Sequence, residues 1–282
     1  MIPSLTINHI PRVRTGFHAS DFGRMGFDIY HSLKGTPPSN PAKWNETLKW
    51  GAGKGVELQM LQILKDSNYV PSDYVQEESV PTARIEHCGV SITCHVDAIN
   101  LDGEPVEIKS INNKNAVDIA KYKDNRPREN YVGQLAVYMD ALGKDNGYLF
   151  VASIDGLSYF WFRCENLGAG VYKCGNVEVN VLDEYARWAS IKLAVDSGIE
   201  PDPFEAGRYK LPLEEIDWSK LSASTISAVR TGKRVIGDPD SWKILYSPYK
   251  DMIVEKQGAT LGYTEEELAK ILELTKGYSS KK

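Results

Sequence analysis

The chain has 282 residues, 42% of them hydrophobic and 25% charged, with a formal net charge of −5. That suffices to bury a sizeable core in one large domain, or in a domain with a small companion. No apolar run approaches the ~18 residues that span a bilayer, and the first residues form no charged and then apolar leader. The expectation is a cytoplasmic protein without membrane contact. The acidic balance weighs against a nucleic-acid binder that is basic all over, but not against one that gathers its positive charge locally.

In chain order, Ser20 and Asp21 predict the cap of a helix running through Phe22, Phe27, Ile29, Tyr30 and Leu33. A loop, Thr36-Pro37-Pro38-Ser39-Asn40-Pro41, follows. Trp50 to Leu64 carries Val56, Met60, Leu61, Ile63 and Leu64 at helical spacing. Gly51, Gly53 and Gly55 near its start suggest a close backbone approach. From Tyr74 to Ser110 the period becomes two, with Val90, Ile92, Cys94, Val96 and Ala98 alternating with polar partners. Asn100-Leu101-Asp102-Gly103 reads as a hairpin turn and Glu104 to Ser110 as its second arm.

Two helices are expected over about 116–123 and 127–142, the second begun by Pro127. A hairpin over 147–153 and 156–164 and a helix over 182–195 come next. The tail from about Pro201 is loop-rich and closes in a helix begun by Thr264-Glu265-Glu266-Glu267. Cys88, Cys94, Cys164 and Cys174 show neither a C-x-x-C pair nor zinc spacing, and read as reduced, mostly buried thiols. The order of elements predicts an α/β core with helical additions.

The chemistry concentrates in Asp97 to Lys109. Residues i and i+2 of a strand share a face, so Glu107 and Lys109 point together while Val106 and Ile108 pack beneath. The turn brings Asp97 opposite Glu107. Two carboxylates and an ammonium thus converge. Hard divalent cations take carboxylate and carbonyl oxygens, so Asp97, Glu107 and the Ile108 carbonyl would suit Mg²⁺ or Mn²⁺. Such an ion activates water at a phosphate, and Lys109 would orient that water or stabilise the oxyanion. A solvated hairpin face with a Glu–Lys pair gives the same pattern. Two further features accompany it: Tyr131, Gln134 and Tyr138 on one helix face, and Glu57 inside an apolar helical stripe. Lys109, Lys114, Lys121, Lys123, Arg126 and Arg128, interleaved with Tyr122 and Tyr131, form a basic and aromatic segment suited to phosphates and unpaired bases. Arg230-Thr231-Gly232-Lys233-Arg234 reads as a surface turn. Gly51-Ala52-Gly53-Lys54-Gly55 lacks the spacing of a phosphate-binding loop.

In order, helix Glu57, strand Asp97, strand Glu107-Ile108-Lys109 and helix Gln134-Leu135-Ala136-Val137-Tyr138 resemble the RecB-like branch of the PD-(D/E)xK nucleases, over roughly Ala19 to Ala152. The resemblance implies a restriction-endonuclease-like fold: a mixed central sheet flanked by helices, with helical additions at both termini. It places a nuclease core at 1–200 and a C-terminal extension packing on it at 201–282. It implies a DNA nuclease, an exonuclease by preference, acting in recombination, repair or phage DNA processing in a bacterial or phage-infected cell. DNA would be the partner, with room for a recombination or single-strand-binding protein. Asp97 and Glu107 become metal ligands, Lys109 the catalytic lysine, and Gln134 and Tyr138 the motif that positions lysine, DNA backbone or scissile phosphate. Glu57 falls where many relatives have His as a further ligand. Many also hold a [4Fe–4S] cluster between an early and a late segment. Here Met25, Ile244, Ser247 and Ile253 stand where thiolates would be. No cluster is expected, and apolar packing should join the two segments. A non-catalytic DNA-binding module and a hydrolase of small phosphoesters remain as alternatives.

Overall fold

The computed structural model describes residues 14–41, 44–75, 82–111, 116–154 and 158–278. The chain divides into two units, one of residues 1–24 and 42–199 and the other of 25–41 and 200–282. The second therefore includes the N-terminal helix, which the sequence division at 200 had left with the core.

In the first unit, β1 (Phe17–His18) pairs parallel with β3 (Val90–Cys94), and β2 (Ala83–His87) pairs antiparallel with β3. The second sheet runs β4 (Ala98–Ile99), β5 (Pro105–Ile111), β6 (Asn146–Ser153), β7 (Tyr159–Gly168), β8 (Val171–Cys174) and β9 (Val177–Asn180), each strand paired with the next. Within this sheet β5 and β6 run parallel and the other described pairs antiparallel; the β5–β6 crossover contains α3 (Ala116–Lys123) and α4 (Glu129–Leu142). α2 (Trp44–Asp66) and α5 (Val181–Ser197) complete the unit. This is the expected α/β arrangement of mixed sheets flanked by helices.

The expected hairpin turn forms for a clear reason. The Asn100 side-chain oxygen accepts from Asp102 N at 3.0 Å and Glu104 N at 2.8 Å, and Gly103 takes φ +75°, which few other residues tolerate. Beneath β5, Val106 and Ile108 are buried with Met60, Leu61 and Leu64 of α2. Gly53 provides the close approach: a Cβ there would lie 2.6 Å from Ser110 Oγ. Both α2 and α4 contact β5. With α2 on the Val106/Ile108 face, α4 covers the face bearing Glu107 and Lys109.

The expected helix start at Ser20 and Asp21 is not observed. Asp21 is buried and its carboxylate accepts from Arg14 at 2.8 and 2.9 Å and from His18 N at 3.0 Å. That last bond closes a single 3-10 turn over residues 19–21 instead of starting a longer helix, and α1 spans Gly26–Leu33. α4 likewise begins two residues after Pro127, with Arg128 at the N-cap position.

The second unit is helical: α1, α6 (Ala223–Arg230), α7 (Trp242–Tyr246), α8 (Lys250–Lys256) and α9 (Glu265–Leu274). Met25, Phe27, Ile244, Tyr249, Ile253 and Val254 share one buried cluster, so the early and late segments do meet through apolar side chains. Ser247 Oγ adds a hydrogen bond of 2.6 Å to buried Asp28. Thr264 caps α9 through a reciprocal pair with Glu267. Cys94, Cys164 and Cys174 are buried free thiols, while Cys88 is exposed.

Candidate active site

The ladder pairs Ala98 with Val106 and Ile99 with Pro105. Asp97 precedes this ladder in a bend, one residue before Ala98. The Ile108 backbone N–H donates to Asp97 Oδ2 at 2.8 Å, which fixes that carboxylate beside β5. Lys109, on the same face as Glu107, forms an ion pair with its Oε1.

Glu107 has 0% exposure, and among the described residues neither carboxylate oxygen has a hydrogen-bond donor beyond Lys109. Burial, and next Asp97, push its carboxyl well above the usual carboxylate range, while Lys109 opposes them. Burial alone would lower the Lys109 ammonium; Glu107, Asp97 and Glu57 outweigh it and hold the lysine protonated. Lys109 keeps its proton, so the costly member of the pair is the ionised carboxylate. Glu57, on α2, is raised by burial and by Asp97, against Lys109 and Lys54. It stands within electrostatic reach of the pair. Among the described residues, however, no three His, Cys, Asp or Glu side chains gather closely enough to hold a metal.

Gln134 and Tyr138 are buried on α4. Gln134 Nε2 donates to Tyr138 Oη at 2.7 Å, and Tyr138 Oη donates to the His95 carbonyl at 2.8 Å. Their contact is thus with the segment leading into Asp97. Burial, with Glu107 adding, raises the Tyr138 phenol well above its ordinary range and secures that donor. Tyr131, half-buried, has the Lys109 ammonium 5.8 Å from its ring centroid and the Arg128 guanidinium 5.4 Å away. Arg128 also donates to its hydroxyl at 3.1 Å. Spacing alone gave no sign of that link between Lys109 and Arg128.

Lys121, Lys123, Arg126 and Arg128 are exposed on and after α3. Tyr122 corrects an expectation: it is 3% exposed, stacked on Phe160 at 5.3 Å and tilted against Phe162, so it offers no face to a base. Lys114 lies outside the described residues. Among those residues no helix is long and apolar enough to cross a membrane.

No protein-family model matches the chain, and no curated protein matches it. Among solved structures it is similar to an alkaline exonuclease (LHK-Exo) from Laribacter hongkongensis, at 17% identity and a TM-score of 0.42, over 66% of this chain and 90% of that one. The same exonuclease in complex with dAMP gives 17% and 0.41 over the same shares. SSO0001 gives 15% and 0.38, over 67% of this chain and 80% of that one. Similarity this slight leaves the chemistry to be decided by the chain's own side chains.

Proposed function

We propose that the chain is a Mg²⁺- or Mn²⁺-dependent deoxyribonuclease, acting as an exonuclease, with its site at Asp97, Glu107 and Lys109. The observation that carries this reading is the buried Glu107 carboxylate, within electrostatic reach of Asp97 and facing, among the described residues, the Lys109 ammonium as its one donor. A buried charge persists only when paired or bound to a cation. Lys109 faces Glu107, Asp97 and, within electrostatic reach, Glu57, on which Lys54 also acts; a divalent cation would add positive charge beside the buried Glu107. Asp97, Glu107 and the Ile108 carbonyl would hold the ion, because Mg²⁺ uses one or two carboxylates and keeps several waters. When bound, it lowers the pKa of water and neutralises charge on phosphate.

The chain's own groups define the rest. The protonated Lys109 supplies a fixed positive charge where a phosphate's oxygens would gain charge. Tyr138 holds the 95–97 segment and, with it, Asp97. Lys121, Lys123, Arg126 and Arg128 offer an exposed row of cations for a DNA backbone. That local row meets the objection raised by the net charge of −5. The test is cleavage of end-labelled single- and double-stranded DNA with Mg²⁺, Mn²⁺ or EDTA, beside Lys109→Ala. Metal-dependent cleavage lost in the variant is expected, and the product ladder reads the polarity. Binding without cleavage would leave a non-catalytic module; activity on nucleotides alone would leave a small-phosphoester hydrolase.

A further inference from the structure

The loop between α3 and α4 is held by a distant part of the chain. Asn176, at the tip of the β8–β9 hairpin, donates from its backbone N to the Asn125 carbonyl at 2.7 Å. Its side-chain Nδ2 donates to the Asp124 carbonyl, 52 residues away in sequence, at 3.1 Å. Gly175 makes this approach possible. It has φ +59°, and a Cβ there would lie 2.5 Å from the Asn125 carbonyl oxygen. Asn125 takes φ +58°, a conformation that Asn accepts more readily than most residues. The loop closes on α3 as well, with Asn125 N donating to the Tyr122 carbonyl at 3.1 Å and Arg126 N to the Lys121 carbonyl at 2.8 Å. Pro127 is buried, and the Arg128 guanidinium rests on Tyr131, which also faces Lys109.

We propose that Asn176 is a positioning residue for DNA: the hairpin tip clamps the 124–128 loop so that its arginines meet a DNA backbone together, in a fixed place relative to Lys109. This inference rests on the deoxyribonuclease reading. Unrestrained, two long cationic side chains on a mobile loop would each lose rotamer and backbone freedom on binding; a loop already held loses less. The hairpin has its own ladder, from Val171 with Asn180 to Cys174 with Val177, without the Asn176 side chain. The Asn176 amide is therefore free to serve the neighbouring loop.

The experiment compares wild type with Asn176→Ala and Gly175→Ala, and with Lys173→Ala as a control on the same hairpin. Each folded variant is assayed for steady-state DNA cleavage and for DNA affinity over a series of salt concentrations. KM and the dissociation constant should rise about tenfold in both clamp variants, since pre-organisation acts on binding. Turnover at saturating DNA should stay within about twofold, because the reacting groups are untouched. All cations remain, yet the salt dependence should flatten by about one or two phosphate contacts, at ~0.9 per contact in the log–log slope. Lys173→Ala should keep the wild-type KM. An unchanged KM in the clamp variants overturns the clamp, as does a raised KM with an unchanged salt slope, which would make Asn176 a direct neutral contact. Wild type that neither binds nor cleaves DNA would remove the nuclease reading and the clamp with it, a pattern distinct from failure of the clamp alone.

Discussion

Glu107 is the residue on which stability and function conflict. Its folded-state pKa is raised by burial and by Asp97. A raised carboxyl contributes stability that is present below its unfolded value near 4.5 and is lost as pH rises towards the folded value. Glu107→Gln should therefore melt at a higher temperature than metal-free wild type at neutral pH, with the difference shrinking towards pH 4; thermal melts from pH 4 to 8 check this. The same change should abolish cleavage. Tyr138→Phe removes the hydrogen bond to the His95 carbonyl and leaves buried Gln134 Nε2 without its acceptor, and should cost about 2–3 kcal/mol, read in urea. It should also lower kcat more than it raises KM, because the segment it releases carries Asp97. Asp97, Glu107 and Lys109 were legible because one hairpin and a two-residue period bring them together. The target of Tyr138 was not, since a helix face says which residues are neighbours and nothing of what lies across from them. Tyr122 misled for the same reason: an aromatic between lysines looks exposed until Phe160 and Phe162 are known to cover it.

At the scale of elements, α4 is the part on which the site depends most. It covers the Glu107 face of β5, bears Tyr131, Gln134 and Tyr138, and receives the 3-10 turn at Gly133. A Cβ on Gly133 would lie 2.0 Å from Phe22 Cδ1. Gly133→Ala should thus destabilise by about 1–3 kcal/mol through overpacking, despite the better helix propensity of Ala. A gain in stability in denaturant melts would contradict that packing. Long amphipathic helices and the central hairpins could be read from periodicity. β8, β9, α6, α7 and α8 could not. They span four to eight residues, too few for a period to emerge, and short helices depend on tertiary burial. The true start of α1 was hidden by Asp21, whose suitability as a cap gave no hint that Arg14 and Arg24 engage it.

Over the whole molecule, each unit has its own core. The first places Asp97, Glu107 and Lys109 at one strand; the second closes on Met25, Ile244 and Ile253. That apolar closure was legible because three of the four positions, Met25, Ile244 and Ile253, are large and hydrophobic, while Ser247 instead bonds Asp28. What was not legible is that residues 25–41 belong with 200–282, a long-range association no local pattern encodes. Ile253→Ala, at 1% exposure, should cost about 2–5 kcal/mol by leaving a cavity, measured in guanidinium. A cost below about 1 kcal/mol would mean that the cluster is not tightly packed.

The buried Glu107 carboxylate, with half-buried Asp97 and Lys109 beside it, is expected to take a divalent cation. Isothermal titration of Mg²⁺ and Mn²⁺ into wild type and Glu107→Gln, with DNA cleavage assayed on the same preparations, tests this most directly. Wild type should bind the metal and cleave DNA, and the variant should do neither. Equal metal binding by the two proteins, or cleavage by the variant near the wild-type rate, would contradict it.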